Sequence, residues 1–277
     1  MLLKLLALDR TADRFSDEVL RLIGAEASFT ARVLGAANSA ESAPASPITT
    51  LRAAITRIGS ARAVDLVTAG AVTRVFVPRE PMEKALWRHS LQVAVAASAL
   101  ARAARDPEVP PAEVYPAALL HDVGRVVMFL EAPELLRLVD EGDWDSPELL
   151  IAAEREICGV THPELGAVAC QQWGLPESIV HAVRVHHDPL AGRAATRTGK
   201  LVALVQLADL AMFPSALPGT PGWDEAGEAL VKKVLLPKLP SFVHLDAAQL
   251  HDLIGAAVGQ SEMTARALGF GEDPSAA

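Results

Sequence analysis

Apolar positions along this chain return every third or fourth residue, and no stretch alternates convincingly between hairpin turns. Val19, Leu22 and Ile23 share one face of a first helix, which Ser16-Asp17-Glu18 would cap. A second helix spans about Ser28 to Ala37 and ends at Asn38-Ser39. The cluster from Glu41 to Pro47 breaks the pattern. Ile48, Leu51, Ala54, Ile55 and Ile58 resume it at helical spacing and stop at Gly59. A fourth helix runs from Ser60 to about Val77 and is closed by Pro78 and Pro81.

A new unit begins near Pro81. The helix from Met82 to Ala104 places Leu86, His89, Val93, Ala96 and Leu100 on one stripe, so His89 is expected on a buried face. A Pro-rich link, Asp106 to Pro116, leads into Ala117-Ala118-Leu119-Leu120-His121-Asp122-Val123-Gly124-Arg125. There an apolar run ends in His-Asp and in a Gly expected to let the backbone turn. Apolar residues Val126 to Leu130 follow, then a helix from Pro133 to about Val139, a loop from Glu141 to Pro147, and a helix from Pro147 to Ile157. Thr161-His162-Pro163-Glu164 has the spacing of a capping box, with Pro in the first turn. The helix it starts ends at Gly174-Leu175-Pro176, and the next, Pro176 to His187, closes on His186-His187. After a polar stretch, Asp188 to Thr198, the helix Lys200 to Phe213 is apolar around Asp209. A Pro/Gly-rich segment, Pro214 to Gly222, precedes helical patterns at Val231–Leu236 and Asp246–Leu268, and the tail after Gly271 is expected to be disordered. The fold class that follows is all-α. An N-terminal helical lobe (1–80) packs on a helical bundle (81–213), with a C-terminal helical extension (214–277).

Composition narrows the function. The 277 residues are 51% hydrophobic but only 4% aromatic, so the core must be Ala, Leu, Val and Ile. A net charge of −9 offers no electrostatic footprint for nucleic acid or for an anionic membrane. No apolar run approaches a membrane-spanning length. Cys158 and Cys170 are too far apart for a Cys-x-x-Cys motif, and a reducing cytoplasm fits this usage.

The candidate chemistry lies in histidines and carboxylates. Each has a plain structural explanation: His89 as a core histidine, His121 or Asp122 as a helix cap, His162 as an exposed first-turn residue, His186-His187 as cations at a helix C-terminus. His244 and His251 read as ordinary surface or capping residues. Asp209 is harder to explain. A carboxylate among Val202, Val205, Leu207, Ala208, Leu210 and Ala211 is costly to bury without a cation or strong donors. His89, His121-Asp122, His162, His186-His187 and Asp209 fall on five segments of one helical unit, each near a buried face or a helix end. One metal centre accounts for all of them. Imidazole and carboxylate together suit iron, manganese and zinc alike.

The order His…His-Asp…His…His-His…Asp resembles the HD phosphohydrolase superfamily and its HD-GYP branch. The fuller resemblance is to the HDOD (HD-related output) domain. It is carried by Ala36-Ala37-Asn38-Ser39-Ala40, Ile48-Thr49-Thr50-Leu51-Arg52-Ala53-Ala54-Ile55, Trp87-Arg88-His89-Ser90, Leu119-Leu120-His121-Asp122-Val123-Gly124-Arg125, His162-Pro163-Glu164-Leu165-Gly166, Trp173-Gly174-Leu175-Pro176 and His186-His187-Asp188-Pro189. These cover roughly residues 5 to 213. The resemblance implies one or two divalent transition-metal ions held by His89, His121, Asp122, His162, His186, His187 and Asp209, with Asp122 bridging. It implies a bacterial signalling or regulatory module that acts through a protein partner. The alternative it implies is a metal-dependent phosphohydrolase or phosphodiesterase, with Asp122 and Arg125 in the chemistry and a phosphate-containing small ligand. The HD-GYP branch carries Gly-Tyr-Pro after its His-His. Here Asp188-Pro189-Leu190-Ala191-Gly192-Arg193-Ala194-Ala195 stands instead, and Arg125 replaces the usual Lys. The resemblance thus implies metal binding more than cyclic di-GMP hydrolysis. Neighbours on a helix point about 100° apart, so His186 and His187 can face one cavity only if the helix ends there, as Pro189 favours.

Overall fold

The structure, a computed structural model, describes residues 8, 12–25, 27–39, 44, 47–75, 80–142, 144, 146–193, 195–216 and 223–268. The tail after Gly271, Pro78, most of the 41–47 breaker and most of the 214–222 segment lie outside the described residues. Among the described residues every regular element is helical, and no helix is long and apolar enough to cross a membrane. The chain forms two compact units, residues 1–78 with 260–277, and residues 79–259.

In the first unit, α1 (Phe15–Gly24), α2 (Ala27–Ala37), α3 (Leu51–Ile58) and α4 (Ser60–Val75) surround a core of Val19, Ile23, Phe29, Val33, Ile55 and Val67. Leu268, near the end of the last helix, joins this core. The expected cap on α1 is not formed. Its N-cap is Arg14, which makes no side-chain capping bond, and Ser16 Oγ instead lies 2.9 Å from Ser60 Oγ. The Asn-Ser that ends α2 is a clasp. Asn38 Nδ2 donates to the carbonyls of Leu34 (2.9 Å) and Ile48 (2.8 Å), and Ile48 N–H donates to Asn38 Oδ1 (2.7 Å). This ties the end of α2 to the residue that leads into α3, where Thr50 caps the helix by accepting from Ala53 N–H. Gly59 ends α3 at φ 88°, a conformation few other residues adopt.

The second unit is built on α5 (Pro81–Ala104), packed against α6 (Pro111–Leu120) and α12 (Arg197–Ala216). A capping box between Glu80 and Glu83, with Pro81 at the first position, starts α5, and Arg105 ends it in the left-handed region at φ 53°. Leu91, Leu100, Leu119 and Leu204 are fully buried among these helices, each contributing about 1.5–3 kcal/mol. After a turn at His121-Asp122 come α7 (Val123–Glu131), α8 (Pro133–Asp140), α9 (Pro147–Cys158), α10 (His162–Gln172) and α11 (Glu177–Val185). Gly124 does not turn the backbone as expected. It lies in the first turn of α7, where a Cβ would sit 1.9 Å from the His162 carbonyl oxygen and 2.8 Å from Gly166 N. Its role is space, since α7 and α10 meet backbone to backbone there. A short 3-10 turn (Ala191–Arg193) precedes α12. Beyond it come α13 (Trp223–Leu230), a π-helical turn (Val231–Leu235), a 3-10 turn (Leu236–Lys238) and α14 (Ala247–Leu268).

Candidate metal centre

Five segments of the second unit deliver the candidate residues to one place. His89 comes from the middle of α5, His121 and Asp122 from the turn after α6, His162 from the first residue of α10, His186 and His187 from the turn after α11, and Asp209 from α12. α11 ends at Val185, and the two adjacent histidines lie in the turn that follows, with ring centroids 4.1 Å apart, so both can face the same cavity. The Thr161–Glu164 capping box forms and fixes the start of α10. His162 is not an exposed first-turn residue, since α7 covers it and it has no exposure to solvent.

The polar atoms fall into two sets. In one, His89, His121 and Asp209 each offer a ligand atom within 4.8 Å of the others; in the other, Asp122, His162, His186 and His187 do. His89 Nε2 lies 3.0 Å from Asp209 Oδ1, and His121 Nε2 lies 3.6 Å from the same oxygen. On the far side, His162 Nε2 is 3.0 Å and His186 Nε2 3.5 Å from Asp122 Oδ1. The other oxygen of Asp122 turns back to the first set, 3.5 Å from His121 Nε2 and 3.8 Å from His89 Nε2. Asp122 is the element common to both.

The outer nitrogens are anchored. His121 Nδ1 lies 2.7 Å from the Ala118 carbonyl, and His186 Nδ1 lies 2.7 Å from that of Val183. His162 Nδ1 lies within 2.9 Å of both oxygens of Glu154, which is wholly buried and also accepts from His162 N–H at 2.8 Å. With Nδ1 donating outward, Nε2 is the nitrogen that presents a lone pair to the centre when the ring is neutral, the arrangement that orients metal-bound imidazoles. His121 Nε2 is buried without a hydrogen-bond partner.

Electrostatics sorts the groups. Burial opposes charge on Asp122 and Asp209, yet the surrounding imidazoles hold both well below the usual carboxylate range. Burial likewise opposes protonation of His121, but Asp122 and Asp209 outweigh it and push the ring up to about 9. His162 is raised against its burial by Asp122 and Glu154. His186 and His187 are lowered by burial, with neighbouring imidazoles adding to the effect. Two buried carboxylates are thus balanced by positive charge on the rings between them, a place a divalent cation could take. The residues fit such an ion. Ligand atoms bound at about 2.0–2.2 Å lie about 3.0–3.5 Å apart, close to the 3.0–3.6 Å separations around Asp122 Oδ1 and Asp209 Oδ1.

Arg125, expected to meet a phosphate, is buried. Its guanidinium is bonded to Asp140, lies 4.0 Å from Glu154 Oε1 and stands 5.8 Å from the Trp144 ring centroid. Burial opposes its charge, and Asp140, Asp122 and Glu154 sustain it. The sequence reading missed Glu154, although a signal was present. Leu150, Glu154 and Cys158 share one helical stripe, and an acid on such a stripe asks for a partner as Asp209 does.

The family model for the HDOD domain matches residues 1–189. The chain belongs to the HDOD family. A crystal structure of an HDOD domain protein of unknown function from Geobacter sulfurreducens matches with a TM-score of 0.70 at 26% identity, over 97% of this chain and 90% of that one. A Shewanella amazonensis SB2B protein provisionally called a phosphohydrolase has the same TM-score at 21% identity, over 97% and 91% of the two chains, a likeness of fold alone. An uncharacterized protein of Treponema pallidum (strain Nichols) is 28% identical over 180 residues, 62% of this chain. This HDOD chain spans about a third of the length of that curated relative, 33%.

Proposed function

We propose that this HDOD protein is a regulatory module of a bacterial signalling pathway that acts through a protein partner, and that its His/Asp cluster binds one or two divalent transition-metal ions. The observation that carries the metal reading is the set of three histidines whose Nδ1 atoms are anchored outward while their Nε2 atoms converge on Asp122 and Asp209. His89, His121 and Asp209 would hold one ion, and His162, His186 and His187 a second, with Asp122 between. The ion would supply a fixed positive charge, and the chain's residues orient and enclose it. Metal identity follows from imidazole and carboxylate donors only as far as iron, manganese or zinc.

A regulatory rather than catalytic role is favoured by Arg125. A cation meant to stabilise charge on a transferring phosphoryl group must reach it, and this one is buried against Asp140. We therefore give Arg125 a positioning role, in which it holds α7 to α8 and to Glu154. The second reading, a metal-dependent phosphohydrolase, is favoured by Asp122 standing between two ligand sets, a layout suited to a two-metal clamp. The test is elemental analysis of protein purified without added metal, alongside a phosphodiesterase assay. The expected result is about one to two equivalents of a transition metal, lost in Asp122→Ala, with no turnover. A metal-free protein would end the metal reading, and metal-dependent turnover lost in Asp122→Ala would replace the regulatory reading with the hydrolase.

A further inference from the structure

A cavity of about 580 Å³ opens beside His186, His187 and Asp209, within the size range of pockets that take small organic ligands. Most of its outer wall comes from residues that follow the family match, which ends at 189. Two cations stand on that wall, Arg193 and Lys238. Among the described residues neither forms an ion pair, in contrast to Lys200, whose ammonium is taken by Asp106 (2.7 Å) and by Glu108.

Both cations are carried on constrained backbone. Arg193 ends the 3-10 turn that follows Asp188, where Gln206 Nε2 donates to the Asp188 carbonyl at 2.6 Å and Leu190 N–H donates to Asp188 Oδ1 at 2.9 Å. A Cβ on Gly192 would fall 2.2 Å from Gln206 Oε1 and 3.1 Å from Ala203 Cα, so the turn lies directly on α12. Lys238 ends the 3-10 turn between Pro237 and Pro240, whose rings restrict the chain there. Next to it Phe242 forms an apolar wall, with Lys200 Nζ 5.6 Å from its ring centroid. The cavity thus combines two uncommitted cations, an aromatic and Pro surface, and an exposed carboxylate, Glu148, at its rim.

We propose that this cavity binds an organophosphate of mononucleotide size. Arg193 and Lys238 take the phosphate through charge-assisted hydrogen bonds, the Pro240–Phe242 wall takes the flat body, and Glu148 accepts from a hydroxyl or amino group. The C-terminal extension then sets ligand choice for a site whose inner wall is the His/Asp cluster. The inference rests on the metal-centre reading only at that inner wall.

The test is calorimetric titration of the full chain, as purified and after chelation, with inorganic phosphate and with each of the four nucleoside monophosphates, and elemental analysis of the same samples. At least one nucleotide should bind about tenfold more tightly than phosphate. Arg193→Ala with Lys238→Ala should weaken it by about tenfold or more at unchanged metal content. Phe242→Ala should weaken the nucleotide and leave phosphate unaltered. Samples that are metal-free as purified and keep a nucleotide affinity dependent on Arg193 would remove the metal reading and leave this site standing. Metal-loaded samples in which no nucleotide outbinds phosphate, or in which the double variant binds within about twofold of the parent, a difference of well under 1 kcal/mol, would overturn the inference alone.

Discussion

The described buried polar residues of the N-terminal unit are Thr68, Ser261 and Thr264, whereas the second unit buries His89, His121, Asp122, Arg125, Glu154, His162, His186 and Asp209. Both units fold from the same Ala/Leu/Val-rich helices. The first is held chiefly by transfer of apolar surface from water. In the second, ionisable groups are stacked between helices, and each depends on an exact neighbour, because a buried charge without its partner costs several kcal/mol. Small changes of shape or charge should therefore register far more strongly in the second unit than in the first.

The largest effect is expected from Gly124→Ala. The added carbon meets backbone atoms of His162 and Gly166, which cannot swing aside as a side chain could. The expected loss is about 3 kcal/mol or more of folding stability, read as the denaturation midpoint, together with loss of bound metal. Gly259→Ala is the control, because nothing lies within 4 Å of its added carbon; there a gain of about 0.5–1 kcal/mol is expected. Equal effects at the two positions would refute the backbone-contact argument. Next comes Glu154→Gln, which keeps the size of the side chain and removes the charge behind His162. Metal affinity should fall about 10- to 100-fold by competition with a chelating dye, and an unchanged affinity would mean that Glu154 only fills space. The smallest effect sharpens the contrast from the other side. Asn38→Ala should lower stability by about 1–2 kcal/mol through its lost hydrogen bonds, with metal content unaltered. A fall in metal content with this substitution would show that the two kinds of core are not separable.

Much of this architecture was legible in the residues. Apolar spacing located the helices, and an Asp on an apolar helix announced that Asp209 required a partner. The legible features are those written within one helix turn or at a helix end. What escaped depends on contacts between distant segments. Nothing local says that Arg125 will turn to Asp140, that Glu154 will stand behind His162, or that Leu268 will join a core begun by Val19. The role of Gly124 escaped for the same reason. A glycine read alone suggests a turn, and only the crossing helix shows that the missing Cβ is space occupied by another backbone.

The Asn38 clasp has a practical consequence. Its amide reads the carbonyl and N–H of Ile48, main-chain atoms that any residue at that position would present alike, proline excepted for the N–H. The clasp therefore places no demand on the side chain at position 48 itself. Position 48 can change its side chain without loosening the tie between α2 and α3, whereas proline there would remove one of the three hydrogen bonds that make it.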